Sequence, residues 1–441
     1  MIVIWARCLK SRDCYTKYMK TTLVIFGITG DLSKRKLLPA LANIIEAGKT
    51  DELAIIGVSR RAVSQFEVFG DHQLSDTTSL FQMDLDDTDA YVRLKEHIDA
   101  SGDEQVLFYL SVPPESAGGI VENLGKAGLN TPNNKLLLEK PFGRDSQSAQ
   151  AMIEQTAVYF NETQIYRIDH YLAKEMAQNI VTFRARNAIF SYLWNSQYIE
   201  KIEVVALESL TIEGRAAFYE QTGALRDLVQ GHLMQLLALT LLPLHDDLNW
   251  DSLPARRQAA LDALLPVDPA RSVRAQYDTY REEVGSANSL TETFVSLELR
   301  SSDPTWQGVP LFLTTGKALS RKKTEVRVHF KKTHDAQSNY LIFKIQPNEG
   351  IAIDLVTKKP GYDREVEHQK LSYTYSSETR LPDAYEQVLV DAMNGHKGLF
   401  ASSGEVLRAW EVLTPLQQAW QSNPDIKTYP VGSDARDIIK G

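Results

Sequence analysis

Three basic side chains and a carboxylate lie close together in the segment 167–174, which has the sequence Arg-Ile-Asp-His-Tyr-Leu-Ala-Lys. If a helix begins near Tyr171, His170 and Lys174 lie one turn apart, and both can contact one anion at the amino-terminal end of that helix. A phosphate monoester suits such a cluster. Asp169 must point elsewhere, and a carboxylate beside two basic residues stays ionised. The alternative is a surface cluster of ion pairs, which such charge mixtures usually form.

A single histidine, His232, lies in an apolar stretch that predicts a helix over residues 225–242. Leucines and valines surround it, so this helix is expected to be largely buried. A histidine in such surroundings is more often a hydrogen-bonded core residue than a base. However, Gly231 precedes it, and a glycine inside a helix costs about 1 kcal/mol relative to alanine, which often reflects a packing or ligand contact. His232 is therefore the best candidate for a general base.

A glycine-containing turn lies between a predicted strand and a predicted helix. Glycines there allow backbone N–H groups to approach a pyrophosphate closely, at the positive end of the helix dipole. The spacing is not the full G-x-G-x-x-G fingerprint, so the strand and helix on either side support the prediction. The candidate cofactor-binding residues of this turn are Gly27, Thr29, Gly30, Asp31 and Leu32.

Two arginines, Arg60 and Arg61, follow the second predicted strand, where dinucleotide enzymes specific for NAD place an acid. Guanidinium groups fit the geometry of a phosphate and stay charged, so this position favours the 2′-phosphate of NADP. NADP is thus the expected cofactor, with NAD as a weaker alternative. A solvated basic turn remains the other interpretation.

The elements that must position these residues change character along the chain. Up to about Arg167, short apolar runs alternate with amphipathic stretches, which is typical of a parallel sheet with helical crossovers. The apolar runs are Leu23–Gly27, Leu53–Gly57, Val106–Leu110 and Lys135–Leu138. The clearest predicted helices between them span Lys34–Ala47 and Glu115–Gly128.

The second half has two early helical stretches, Leu172–Phe190 and Leu225–Leu242, and then several partly alternating runs. Strands that follow one another with few long helices between them predict an antiparallel sheet. The predicted fold is an α/β Rossmann-type dinucleotide-binding domain followed by a larger α+β domain with a mainly antiparallel sheet. The predicted division is a tail over 1–20, a dinucleotide-binding domain over 21–167, and a substrate-binding and dimerisation domain over 168–441.

Composition excludes several classes of protein. The 441 residues carry a net charge of -9, with 43% hydrophobic and 24% charged residues, as in soluble globular proteins. The acidic balance argues against a nucleic-acid partner, and no apolar run is long enough to span a membrane. Both cysteines, Cys8 and Cys14, lie in the tail, so the body has no disulfide framework or cysteine zinc site. A cytoplasmic location and no metal are expected.

Together these motifs resemble the glucose-6-phosphate dehydrogenase family. They follow the order of the family from about Thr22 to Pro415, and the agreement over the nine residues around His170 is highly specific. The matching segments are Gly27-x-x-Gly30-Asp31-Leu32, Glu139-Lys140-Pro141-Phe142-Gly143, Arg167–Glu175, Glu213-Gly214-Arg215, Arg226-Asp227 with His232, Trp306–Pro310, Thr315-Gly316-Lys317, Gln346-Pro347-Asn348-Glu349 and Tyr385-Glu386.

The resemblance implies a role for each matching residue. His232 matches the catalytic base of the family, and Asp169 matches the carboxylate that orients this base. Arg60 matches the arginine that faces the 2′-phosphate, and Lys140 matches a lysine between sugar and nicotinamide. Gly231 is a departure, because the family commonly has Asn there. The residues expected to bind the sugar phosphate are Lys140, His170, Tyr171, Lys174, Glu208, Asp227, Lys317 and Lys322.

The implied activity is oxidation of β-D-glucose 6-phosphate at C1 to 6-phosphoglucono-δ-lactone, with hydride transfer to NADP. This is the first step of the oxidative pentose phosphate pathway. The resemblance also implies a homodimer or homotetramer. Two alternatives stay open: a related NAD(P)-dependent dehydrogenase of another sugar phosphate, and a non-catalytic homologue that retains the fold.

Overall fold

The structure is a computed structural model, and it describes residues 19–50, 52–70, 74, 77–100, 102, 104–244, 248–333, 338–376 and 378–440. Most of the tail predicted over residues 1–20, with both cysteines, lies outside this part of the chain. The described residues form two sheets, one of seven strands and one of nine. No helix within the described ranges is long and apolar enough to cross a membrane.

The seven-stranded sheet has the order β15-β6-β5-β4-β1-β2-β3, and all of its neighbouring strands are parallel except β15 and β6. Its central strands are fully buried because helices cover both faces, which explains their continuous apolar sequences. The strands are β1 (Thr21–Phe26), β2 (Leu53–Ser59), β3 (Thr78–Gln82), β4 (Gln105–Leu110), β5 (Lys135–Leu138), β6 (Ile165–Ile168) and β15 (Phe400–Ala401).

Five helices from the first part of the chain accompany this sheet. They are α1 (Leu38–Glu46), α2 (Gln65–Phe69), α3 (Thr88–Asp99), α4 (Pro114–Lys126) and α5 (Ser146–Ala157). A π-helical segment, Ser33–Leu37, leads into α1. The helices enclose two apolar clusters, one on each face of the sheet. The predicted α/β Rossmann-type architecture is confirmed.

The nine-stranded sheet has the order β14-β13-β12-β11-β7-β10-β9-β8-β16. It is mainly antiparallel, as predicted, and its parallel pairs are β7 with β10 and β8 with β16. The strands are β7 (Ile199–Leu207), β8 (Ser272–Tyr277), β9 (Phe294–Leu299), β10 (Leu311–Gly316), β11 (Lys323–Phe330), β12 (Tyr340–Gln346), β13 (Gly350–Lys358), β14 (Val366–Thr374) and β16 (Lys427–Tyr429).

The helices of the second part are α6 (Glu175–Arg186), α7 (Ala188–Ser191), α8 (Ala216–Ala224), α9 (Met234–Leu241), α10 (Leu253–Asp262), α11 (Tyr280–Glu283), α12 (Ala384–Asn394), α13 (Ser403–Ser422) and α14 (Ala435–Lys440). Among them, α6, α7, α9, α10 and α13 contribute most of the helical residues of the largest apolar cluster, which covers one face of this sheet. The single helix predicted over residues 225–242 is a π-helical segment, Leu225–Leu233, that continues into α9.

The end of the chain returns to the first sheet. β15 extends that sheet beside β6, α12 packs against α1, and α13 packs against α5. Residues assigned to the second predicted domain therefore complete the packing of the first sheet. The domain division between residues 167 and 168 stays a prediction.

A buried ion pair anchors this return. The Nε of Arg257, on α10, lies 2.7 Å from Oε1 of Glu405, on α13, and both side chains are fully buried. The Arg257 guanidinium also donates to the carbonyls of Gly398 and Phe400, at 2.6 and 2.7 Å. The arginine thus joins α10 to the start of the short β15 strand and to α13.

We expect Arg257→Ala to lower the free energy of unfolding by about 3–5 kcal/mol, because the Glu405 carboxylate would remain buried without its cation. Guanidinium denaturation followed by circular dichroism measures this change. The control is Lys126→Ala, which removes an exposed ion pair with Glu122 and should have little effect. Equal effects of the two substitutions would contradict the anchoring role of Arg257.

Candidate active site

The centre of the site is a contact between His232 and Asp169. Asp169 follows β6 directly, whereas His232 lies in the π-helical segment Leu225–Leu233. The Nδ1 atom of His232 is 2.5 Å from Oδ1 of Asp169, and the two residues are only 6% and 1% exposed. The backbone N–H of Tyr171 also donates to Oδ1, at 3.0 Å. Because Nδ1–H donates to the carboxylate, Nε2 of the neutral imidazole carries the free lone pair.

The charges of this pair suit proton abstraction. Burial lowers the pKa of His232, although the Asp169 carboxylate works in the opposite direction. Burial by itself would raise the pKa of Asp169, but the adjacent His232 and Lys140 hold this pKa below its ordinary value. The pair is therefore a neutral imidazole next to an ionised carboxylate at neutral pH. That arrangement is the one a general base requires.

Two aromatic rings surround the imidazole. The ring of Tyr171 stacks on His232 with centroids 4.1 Å apart, and His170 contacts the edge of His232 at 4.7 Å. Burial, together with the neighbouring His232, lowers the pKa of His170 well below its ordinary value. His170 is therefore neutral here, so it acts toward an anion as a hydrogen-bond donor rather than as a cation.

Lys174 carries the positive charge next to these rings, and it follows a turn formed by residues 170–173. The expectation that a helix begins near Tyr171 is wrong, because residues 170–173 form a turn and α6 begins at Glu175. The turn is stabilised locally by the Asp169 carboxylate, which accepts from the N–H of Tyr171. His170 and Lys174 are thus held near each other by a turn and not by a helical repeat.

Sequence reasoning assigned no role to Gln346, at the end of β12. Its Oε1 accepts a hydrogen bond from Lys174 Nζ at 2.8 Å, and its Nε2 donates to the Tyr171 hydroxyl at 3.5 Å. The Gln346-Pro347-Asn348-Glu349 motif is part of the family resemblance, but its position in the sequence does not indicate a contact between Gln346 and Lys174. Gln346 therefore joins Lys174 and Tyr171 into one polar cluster.

Lys140 approaches the pair from the end of β5. Its Nζ donates to the backbone carbonyl of Asp227 at 3.2 Å. Its charge contributes to the lowered pKa values of both Asp169 and His232. The structure thus brings together the predicted catalytic residues, Lys140 and the segment that carries Asp227.

Glu208 and Lys317 meet because of strand register. β7 and β10 are parallel with Leu207 opposite Gly316, so the residues that follow these two positions leave the sheet side by side. The Lys317 ammonium pairs with the Glu208 carboxylate. Lys322 is exposed in the connection between β10 and β11. Burial lowers the pKa of Lys174, and the charge of Lys322 contributes a smaller effect in the same direction.

The glycine turn follows the carboxyl end of β1. In the sheet, β1 lies next to β4, and the order of the parallel strands reverses between these two strands. Ligands of open α/β sheets bind at such switch points. Gly27 has φ +83°, and a Cβ atom there would lie 2.2 Å from the carbonyl oxygen of Ser111. Only glycine fits this position, so the crevice has the tight turn that a pyrophosphate requires. Thr29 and Gly30 complete the turn, and Asp31 and Leu32 begin the helix that follows it.

The two arginines after β2 have different environments. Arg61 is engaged in an ion pair with Glu67 at the start of α2. Arg60 is exposed, and its backbone carbonyl accepts from Gln82 at 3.4 Å. Arg60 is therefore the better placed of the two to meet a phosphate. Among the described residues, no group of three or more His, Cys, Asp or Glu side chains could hold a metal ion.

A parallel sheet with a glycine turn at its switch point, beside a buried histidine–carboxylate pair and a cluster suited to an anion, defines the class of dinucleotide-dependent dehydrogenases. Sequence models of two domains match the chain. They are described as the NAD binding domain of glucose-6-phosphate dehydrogenase, over residues 24–179, and its C-terminal domain, over residues 181–438.

Full-length relatives agree. Glucose-6-phosphate 1-dehydrogenase of Chlamydia muridarum is 35% identical over 93% of this chain and 92% of its own length. The Bacillus subtilis enzyme of the same name is 35% identical over 94% of each. A solved structure of glucose-6-phosphate dehydrogenase with its substrate glucose-6-phosphate aligns with TM-score 0.88 and 28% identity, covering 96% of this chain and 98% of that one. The chain belongs to the glucose-6-phosphate dehydrogenase family.

The Asp169–His232 contact predicts a shift in pH dependence. The Asp169 carboxylate favours the imidazolium and so raises the pKa of His232 against the effect of burial. Asp169→Asn removes this effect, so the acidic limb of the kcat/KM profile should move to lower pH. The plateau should fall by a factor of about 10² to 10⁴, because the imidazole loses its orienting partner.

Initial rates between pH 4.5 and 9, with wild type and variant compared in the same buffers, measure both changes. The titration of the substrate phosphate is common to both proteins and cancels in the comparison. A shift of the limb to higher pH would contradict the assignment of Asp169 as the partner of His232.

Proposed function

We propose that this protein oxidises β-D-glucose 6-phosphate at C1 to 6-phosphoglucono-δ-lactone with NADP as the hydride acceptor, the first step of the oxidative pentose phosphate pathway. The observation that carries the proposal is the buried His232–Asp169 pair, which lies beside the cluster of Lys174, Tyr171 and Gln346. A base and an anion site this close suit a sugar that carries both a reacting hydroxyl and a phosphate.

The chain supplies the base for this reaction. Nε2 of His232 takes the proton of the C1 hydroxyl, and the carbonyl of the lactone forms at C1 as the hydride leaves. The Asp169 carboxylate keeps the lone pair on Nε2 and stabilises the imidazolium that results. Bound NADP supplies the hydride-accepting nicotinamide.

The chain also supplies the groups that orient the sugar. A phosphate at the cluster can accept hydrogen bonds from His170 and the Tyr171 hydroxyl and can pair with the Lys174 ammonium. The carboxylates of Glu208 and Asp227 are acceptors for the sugar hydroxyls. The residues proposed to bind the substrate are Lys140, His170, Tyr171, Lys174, Glu208, Asp227, Lys317 and Lys322.

The crevice beside β1 fits a dinucleotide. Gly27 lies so close to Ser111 that it cannot carry a side chain. The turn therefore has no side chain at this position that would keep a pyrophosphate away. Arg60 is proposed to face the 2′-phosphate, and Lys140 is proposed to lie near the nicotinamide. The residues proposed to form the cofactor site are Gly27, Thr29, Gly30, Asp31, Leu32, Arg60 and Lys140.

We further propose that the protein is a cytoplasmic homodimer or homotetramer. One face of the nine-stranded sheet supports the assembly. It carries a cavity of about 640 Å³ with charged side chains of both signs, among them Glu203, Lys323 and Arg327. A self-complementary mixture of charges suits an interface between two copies of one chain.

The activity is tested by following NADPH formation with glucose 6-phosphate, galactose 6-phosphate and glucose. We expect glucose 6-phosphate to be the best substrate, and we expect deuterium at its C1 to appear in the NADPH. His232→Asn should lower kcat by a factor of about 10² to 10⁴ with little change in KM, and His97→Asn on α3 is the matched control. Turnover close to wild type in a folded His232→Asn variant would exclude His232 as the base.

Cofactor preference is tested at Arg60. We expect Arg60→Ala to raise KM for NADP by about tenfold or more and to leave KM for NAD nearly unchanged, because one charge-assisted contact to the 2′-phosphate is lost. Arg61→Ala is the control, since Arg61 is engaged with Glu67. If Arg60→Ala weakens both cofactors equally, Arg60 does not contact the 2′-phosphate.

A further inference from the structure

Gly231, the residue before His232, lies against Lys140. A Cβ atom at position 231 would lie 2.3 Å from Nζ and 2.7 Å from Cε of Lys140, and 3.2 Å from Oδ2 of Asp169. Both distances to Lys140 are shorter than van der Waals contact allows. The end of the lysine side chain therefore occupies the space that any other residue at position 231 would fill.

The backbone does not account for this glycine. Gly231 lies inside the π-helical segment and is absent from the described glycines with positive φ. Alanine would favour a helical conformation more than glycine does. The contact with Lys140 is thus the feature of this position that a side chain would disturb, because the end of the lysine would have to shift.

We propose that Gly231 is a positioning residue: the absence of its side chain opens a slot that holds the Lys140 ammonium against the Asp227 carbonyl and beside the Asp169–His232 pair. The proposal rests on the proposed function, in which His232 is the base. It goes beyond that function because it assigns a role to a residue with no reacting group.

The surroundings of the slot are tightly packed. Lys140, Asp169, Gly231 and Gln235 line a cavity of about 10 Å³, close to the space that a single water molecule needs. Oε1 of Gln235 is buried and has no hydrogen-bond partner in the described part of the chain, so an acceptor lines the cavity that Lys140 enters. An ammonium displaced by a side chain at position 231 has little room to move inward. We expect it to move outward, away from Asp169.

The position of Lys140 matters because of the other charges around His232. Asp169 and His170 face the imidazole from the end of β6, Lys140 from the end of β5, and Asp227 from the same helical segment. The Lys140 cation disfavours the imidazolium, and the two carboxylates favour it. Removing the cation from the slot should therefore raise the pKa of His232.

The test is Gly231→Ala, with Gly119→Ala as the matched control. Gly119 is an exposed glycine of α4, where a Cβ atom would meet nothing within 4 Å among the described residues. We expect Gly231→Ala to lower kcat/KM by about tenfold and to move its acidic limb to higher pH. Gly119→Ala should leave both unchanged. A variant that only destabilised the fold would lower the melting temperature without moving the limb.

A second measurement does not depend on turnover. NMR titration of isotopically labelled histidines in the substrate-free protein gives the pKa of His232, with its signal assigned from His232→Asn. This pKa should rise in Gly231→Ala. It should also rise in Lys140→Met, which removes the ammonium without adding a side chain at position 231. In the Lys140→Met background, Gly231→Ala should cause no further rise.

The outcomes separate the two proposals. If the wild-type protein does not oxidise glucose 6-phosphate but the pKa of His232 responds as described, the slot is supported and the proposed function fails. If the activity is present but Gly231→Ala leaves the pKa unchanged, the slot is overturned. An equal rise caused by Gly231→Ala with and without Lys140 would overturn it as well, because the effect would not pass through the lysine.

Discussion

The contact between Asp169 and His232 is the interaction on which the site depends. The two residues are 63 positions apart, and each belongs to a different sheet and helix system. Their burial makes the contact strong, because a carboxylate and an imidazole removed from water interact with little screening. The same burial requires that both partners be present, since either group alone would be costly to bury. The end of β6 and the π-helical segment must therefore meet in one arrangement.

The end of the chain holds this arrangement in place. The Lys135 ammonium, at the start of β5, donates to the carbonyls of Ala392 and Met393 at the end of α12, at 2.7 and 3.2 Å. Trp410 on α13 donates to the carbonyl of Phe142 at 3.0 Å, which fixes the loop just beyond Lys140. Both contacts act on β5 and its following loop. The position of the Lys140 ammonium is thus set partly by residues more than 240 positions later in the chain.

The two histidine rings of the site are neutral, although charged side chains lie next to them. Around the proposed base, burial lowers the pKa values of His232 and His170, so both rings are neutral at physiological pH. Lys140 is the cation beside the Asp169–His232 pair, and two further cations of the site are Lys174, near Gln346, and Lys317, near Glu208. An anion held at Lys174 leaves the imidazole free to accept a proton. A protonated His170 would disfavour that step by repulsion.

The sequence by itself determined the strand and helix alternation of the first half and the glycine turn, because apolar periodicity and turn chemistry are local properties. It also indicates His232 as a candidate base, and it indicates Asp169 as the partner of His232 only through the family resemblance. Only the tertiary structure decided which residues meet. β14 is exposed along most of its length and β15 has two residues, so neither leaves a periodic signal. Gln346 contacts Lys174 across 172 positions, and Lys140 fills the space at Gly231. Such contacts arise from the packing of distant segments, which no local pattern encodes.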